Sequence, residues 1–239
     1  MEQFGKLFSR YEVIVILDTE TSGLRFSQDE IIELAAVRLI SQKGTPVIVQ
    51  EYDQLIQLHP GSHLNSRITE LTGISEDDLI QWGVEKRQAC QDFRELIAGE
   101  RVLLVAYNAH FDLSFLFYLL HEHQMAEILK APDFLDLLTV YKDRRAYPHK
   151  LKDAILAYGL EDKVVNSHRA LDDVKATVEV LKQMELEKAD LLRYINLFGY
   201  NPKYGVQGKR IRSVEYRPQS YQRCQPLYDF CEDENLAHV

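Results

Sequence analysis

Asp18 and Glu20 stand two residues apart where an apolar run, YEVIVIL at 11–17, gives way to Asp-Thr-Glu. In a strand, side chains alternate between faces, so both carboxylates point the same way and can share a divalent cation. A D-x-E pair is common in acidic proteins; its place directly after a buried-type strand and before Thr21-Ser22-Gly23-Leu24 is what singles it out. A third carboxylate, Asp112, follows a second apolar run, RVLLVAY at 101–107, in Asn108-Ala109-His110-Phe111-Asp112. On its own it also fits an acid favoured by the dipole in a helix's first turn. A fourth group is His168-Arg169-Ala170-Leu171-Asp172-Asp173. Five residues of continuous helix turn through about 500°, which would put His168 and Asp173 on different faces. They converge only if His168 lies in the loop before the helix, where Asn166-Ser167 supplies a plausible break. Geometry alone leaves Asp172 and Asp173 as alternatives.

The elements that must hold these groups can be read from periodicity. Residues 11–17 read as a buried strand. Residues 31–40 and 45–58 read as two more, joined by a hairpin turn at Lys43-Gly44, although IIELAAV also fits a helix. Short helical pieces broken by Gly61, Gly73 and Gly83 occupy 61–83. A helix with Ala89, Phe93, Leu96 and Ile97 on one face covers 84–98 and stops at Gly99. Strand 101–107 leads to a leucine-rich helix at 111–123. A helix spans about 149–158, and a long one runs from about 170 to 197, ended by Gly199 and Asn201-Pro202. Strands first, then strand and helices alternating, predict an α/β fold with a mixed sheet flanked by helices.

Three segments, DTETSGL at 18–24, YNAHFDLSFL at 107–116 and HRALDDVKAT at 168–177, resemble in order and spacing the DEDDh (DnaQ-like) 3′→5′ exonucleases. That group includes the proofreading subunit of bacterial replicative polymerase, ribonuclease T and oligoribonuclease. The resemblance covers about residues 11–185, and HKLKDAILAYGL at 149–160 is similar to the family's penultimate helix. It implies an RNase H-like sheet and selects Asp173 over Asp172, because the third motif is H-x-x-x-x-D. It further implies that Asp18, Glu20, Asp112 and Asp173 hold two Mg²⁺ or Mn²⁺ ions, hard cations that prefer oxygen. The two ions would clamp the scissile phosphate, and their charge would let an acidic domain accept a polyanion.

His168 is implied as general base toward the attacking water, active when neutral, so that activity falls as pH drops through its pKa. Thr21, Leu24, Thr72, Ile74, Asn108 and Phe111 are implied as substrate contacts. A core role for Leu71 or Ile74, and a turn or cap role for Asn108, are the competing readings. The expected reaction is hydrolysis from a single-stranded or frayed 3′ end to nucleoside 5′-monophosphates. Single-stranded DNA is the expected substrate and RNA trimming the alternative. A DNA polymerase or another replication or repair protein is the expected protein partner, any proofreading being in trans. With all four carboxylates and the histidine present, a silent binding module is disfavoured.

The 239 residues divide into an expected nuclease domain, 1–198, and a C-terminal extension, 199–239. Residues 1–199 carry 22 Lys and Arg against 32 Asp and Glu. Residues 200–223 carry Lys203, Lys209, Arg210, Arg212, Arg217 and Arg223 against Glu215 alone, with Tyr200, Tyr204, Tyr216 and Tyr221 interleaved. The last sixteen residues hold four acids and no Lys or Arg. The basic stretch is suited either to single-strand binding, through phosphates and stacked bases, or to lying over the acidic domain with its arginines paired. Net charge −9 disfavours a duplex-coating protein. There is no GxxxxGK[ST] phosphate loop. The longest apolar runs, Val102–Tyr107 and Phe115–Leu120, are far short of a membrane span, and no signal peptide is expected from Val13–Leu17. Cys90, Cys224 and Cys231 form no zinc pattern, which points to spectator thiols in a reducing cytoplasm.

Overall fold

The computed structural model describes residues 4–165, 167, 169–220 and 225–229. A short helix α1 (Gly5–Arg10) precedes β1 (Val13–Thr21), β2 (Ile31–Gln42) and β3 (Thr45–Leu55). Helices α2 (Ser66–Thr72), α3 (Glu76–Trp82) and α4 (Lys86–Leu96) lead to β4 (Val102–Ala106). Then come α5 (Ala109–Glu122), β5 (Asp133–Asp136), α6 (Leu137–Arg144), α7 (Leu151–Ala157) and α8 (Ala170–Glu187). Two short strands, β6 (Leu197–Tyr200) and β7 (Glu215–Pro218), close the described chain, with a turn of 3₁₀ helix at Leu227–Asp229.

The main sheet has the order β3-β2-β1-β4-β5. β1 runs antiparallel to β2 and parallel to β4, and β4 runs parallel to β5. This is the mixed, RNase H-like sheet that the sequence predicts. The β2–β3 hairpin turns at Lys43 and Gly44, both at positive φ. IIELAAV is strand, because β2 lies inside the sheet with both faces covered, so its apolar residues need no helical stripe.

The alternation of β1 divides the core. Ile14 and Ile16 face a layer containing Val174, Val178 and Leu181 of α8. Val13, Val15 and Leu17 face the opposite layer, with Phe93 of α4 and Leu113, Leu116 and Leu120 of α5. By the same period of two, residues 18 and 20 lie on the α8 side and residue 19 on the α5 side.

The structure corrects the sequence reading in two places. The last long helix ends at Glu187, not near 197, and Leu191–Tyr194 is a separate 3₁₀ turn. The reason is tertiary: Arg144 Nη1 donates to Met184 O at 2.6 Å, and its Nη2 bonds Asp190 at 2.6 Å. Arg144 Nη2 also donates to Lys188 O at 3.3 Å, so an arginine from α6 satisfies a terminal carbonyl that a further turn would have taken. Second, β5 and α6 fill a stretch for which periodicity gave no element; four residues of strand are too few to show a period. β6 and β7 pair in parallel across a long connection, and positions 198 and 199 both lie in β6. Cys90 is buried and free, while Cys224 and Cys231 lie outside the described residues.

Candidate active site

Asp18 and Glu20 project from the C-terminal end of β1 toward α8. Asp173 lies in the first turn of α8, which starts at Ala170. One carboxylate oxygen from each of Asp18, Glu20 and Asp173 lies within 4.8 Å of the other two. Asp172, one position along, turns away and accepts a hydrogen bond from Ser167 Oγ at 2.5 Å. Of the two alternatives left open by spacing, Asp173 is the one whose carboxylate lies beside Asp18 and Glu20. His168 lies outside the described residues.

Asp112 reaches the same strand from the other face. It is buried, and its Oδ1 accepts the Thr19 amide at 3.0 Å and the Thr19 hydroxyl at 2.8 Å. Burial pushes the Asp112 carboxyl up to about 7 against this hydrogen bonding. Burial, followed by the charges of Asp112, Asp173, Glu20 and Glu33, raises Asp18 well above the carboxylate range. Glu20 is pushed up to about 8 by burial and then by Asp173, Glu33 and Asp112. Several acids that raise one another's pKa make a site short of positive charge. Their hard oxygen donors fit a divalent cation such as Mg²⁺ or Mn²⁺.

The expected substrate contacts are distributed differently. Leu24 is 77% exposed in the loop after β1, and Leu71 is half exposed at the end of α2. Ile74 is buried with Ile32 and Leu79 in a small core of its own, and the Thr72 hydroxyl donates to Ile68 O at 2.9 Å. Ile74 therefore packs as core, the competing reading given above. Thr21 donates to Gly23 O at 2.6 Å and fixes the start of the Leu24 loop. Phe111 packs on Phe26 and Phe115, with ring centroids 5.7 and 5.0 Å away. Asn108 is left-handed, at φ 72°, and precedes α5 without a side-chain cap.

Three supporting residues escaped the sequence reading. Glu33 lies opposite Glu20 in the β1–β2 register and is fully buried. It accepts Arg169 Nε at 2.9 Å and Nη2 at 2.6 Å, and the Ala170 amide at 2.9 Å, tying the N-terminus of α8 to the sheet. Arg169 is the second. A charged residue inside IIELAAV was the available clue, since a buried carboxylate needs partners.

Asp136 is the third. Its Oδ1 accepts the amides of Asn108 and Ala109 at 3.0 Å, and its Oδ2 accepts the Thr139 amide and hydroxyl at 3.1 and 2.5 Å. It caps α6 and holds the turn that launches Asp112; the Asp-x-x-Thr start of α6 was its signature. Asp136→Ala strands several buried donors and is expected to cost about 2–4 kcal/mol. Thermal unfolding should show a drop of roughly 2–4 °C per kcal/mol for a protein of this size. An unchanged Tm would show that water replaces the carboxylate.

The sheet order and the carboxylate cluster together define an RNase H-like domain with a candidate cation site. The exonuclease family RNase T matches residues 15–181, and the chain belongs to that family. Its relatives include the PolC-type DNA polymerase III of Bacillus subtilis, 34% identical over 183 residues, which are 75% of this chain and 12% of that protein. The PolC-type polymerase of Caldanaerobacter subterraneus is also 34% identical, over 73% of this chain and 12% of its own length. The chain thus spans about an eighth of the curated relatives it matches. Among solved structures, E. coli exonuclease I in complex with a dA16 oligonucleotide superposes with a TM-score of 0.67 at 18% identity. That match covers 77% of this chain and 42% of that one, a likeness of fold. Among the described residues, no helix is long and apolar enough to cross a membrane.

Proposed function

We propose that this chain is a metal-dependent 3′→5′ exonuclease that shortens single-stranded DNA to nucleoside 5′-monophosphates. Residues 1–198 would carry the chemistry and the extension 199–239 would serve the substrate. The observation that carries the reading is the convergence of Asp18, Glu20 and Asp173, with Asp112 anchored beside them, in a chain of an exonuclease family. Relatives named as DNA polymerases favour DNA over RNA, and a polymerase or another replication or repair protein is the expected partner.

Asp18, Glu20, Asp112 and Asp173 would hold Mg²⁺ or Mn²⁺ ions. When bound, these ions supply Lewis-acid polarisation of the phosphate and neutralise charge that develops during displacement. The chain's own residues do the rest. Thr19 fixes the orientation of Asp112, and Glu33 and Arg169 fix the first turn of α8 and with it Asp173. Leu24 offers an exposed apolar edge against the terminal base. His168 would take the proton as water attacks phosphorus and the bond to the 3′-oxygen breaks; that oxygen takes a proton from solvent, leaving a strand with a new 3′-hydroxyl and a free 5′-monophosphate.

The test incubates 5′-labelled DNA and RNA oligomers with the protein in Mg²⁺, Mn²⁺ or EDTA. A DNA ladder shortening from the 3′ end, lost in EDTA, is expected. Preferential shortening of RNA would move the substrate to RNA trimming. No shortening of either oligomer with any metal would overturn the reading.

A further inference from the structure

We infer that residues 207–213 form, along the outer face of α5, a cationic track for the part of the single strand not yet degraded, ending in an apolar cavity that accepts a base. This inference rests on the function proposed above.

The segment is pinned to α5 through its backbone. His110 Nε2–H donates to Gln207 O, and the Lys209 amide donates to Ser114 Oγ at 3.2 Å. The Ile211 amide donates to the Tyr216 hydroxyl at 3.0 Å, and that hydroxyl lies 3.2 Å from His110 Nδ1. Gly208, at φ +79°, is where the chain passes closest: a Cβ there would come within 2.6 Å of Ser114 Oγ and 2.9 Å of the Phe26 ring. Ile211 and Val214 are buried in the same layer as Phe198.

What faces outward is charge. Lys209, Arg210 and Arg212 are exposed, and among the described residues none of them forms an ion pair. Two of them rest on aromatic rings, Lys209 Nζ at 4.4 Å from the Phe117 centroid and the Arg210 guanidinium at 5.5 Å from that of Tyr216. The reading in which the extension lies over the acidic domain to pair its arginines does not describe these three. Cations on an anchored backbone lose little further freedom when they meet a polyanion.

Beside them opens a cavity of about 580 Å³, lined by apolar Phe117, Leu129 and Ile211, by Lys209, Arg210 and Arg212, and by the Lys130–Glu127 ion pair, so that its charged lining is net positive. Apolar side chains beside cations suit a stacked base and its phosphates. The track starts at His110, two residues before Asp112 in α5, and reaches Phe117, about 10 Å further along the helix axis at ~1.5 Å per residue.

Binding of a fluorescent DNA oligomer, measured in EDTA against salt, tests the track; the oligomer should exceed the ~4–16 nucleotides that such grooves occupy. K209A/R210A/R212A is expected to weaken binding about tenfold or more and to reduce the log–log salt slope by about 2, at ~0.7 per cation on single strands. The charge-keeping variant K209R/R210K/R212K should restore both. Unchanged affinity and slope in the alanine variant, or loss without rescue by the charge-keeping one, would overturn the track. So would displacement of the oligomer by a polyglutamate peptide at equal concentration, which would mark the surface as a dock for an acidic protein. Hydrolysis of a trinucleotide by the unaltered protein, followed in parallel, separates the two ideas. If it fails, the exonuclease reading fails; if it proceeds while the binding predictions fail, only the track is lost.

Discussion

Asp18→Asn is expected to lower nuclease activity by about a thousandfold or more while making the metal-free protein more stable. The first effect follows from the loss of a carboxylate shared by the ions, since several kcal/mol of transition-state stabilisation correspond to about three powers of ten. The second follows from crowding. Without cations, the acids Asp18, Glu20, Asp112 and Asp173 crowd one another, the first two half-buried and the others buried, and removing one relieves the rest.

The pH dependence has a definite sign. Glu20 titrates at about 8 and Asp112 at about 7 in the folded protein, against 4.5 and 3.8 for unperturbed groups. Folded pKa values above unfolded ones mean that the native state binds these protons more tightly. Their contribution to stability is therefore complete below the unfolded pKa values and is lost as pH rises through 7 to 8. In EDTA, Tm should fall between about pH 5 and pH 8, by less in the Asn variant, and Mg²⁺ or Mn²⁺ should restore it at the upper end. Thermal scans with and without chelator read this directly. Equal stability of wild type and variant in EDTA across that range would mean that the carboxylates do not oppose one another.

Glu33→Ala is expected to separate structure from chemistry at the other side of the site. Glu33 touches neither phosphate nor water in the proposed reaction; it holds Arg169 and the first amide of α8. Its removal strands that amide and leaves Arg169 without its main partner. Because Arg169 is about half exposed, water recovers part of the loss, and the expected cost is about 1–3 kcal/mol. The larger effect is on activity. Displacement of Asp173 by about 1 Å is enough for a roughly hundredfold loss. Glu33→Gln, which still accepts the amide, should retain more stability and more activity than the alanine variant. Circular dichroism and steady-state kinetics on the same preparations distinguish the cases. A Glu33→Ala protein with wild-type kcat and KM would show that α8 is held by its packing alone.

The sequence by itself determined the two strands that lead to Asp18, Glu20 and the turn into Asp112, because both are unbroken apolar runs followed by carboxylates. It also determined the hairpin at Lys43-Gly44 and the apolar stripe of α8. These are local properties, written in periods of two and 3.6 and in residues that tolerate positive φ. The choice of Asp173 over Asp172 came from motif likeness and was not available from spacing, since two adjacent helical acids differ only in what packs against their face. Only the tertiary structure could place Asp112 and Asp173 on opposite faces of β1, converging at its end.

The same holds for Glu33, Asp136 and Arg144. Each acts on a segment distant in sequence, closing a helix end or a turn with a hydrogen bond that no local pattern records. The extension shows the division most plainly. Its charge and tyrosines were legible as composition, but that Lys209, Arg210 and Arg212 face outward was decided by the burial of Ile211 and Val214 and by the backbone bonds to α5. Burial is a property of the whole packed surface, and a short irregular segment has no period from which to read it.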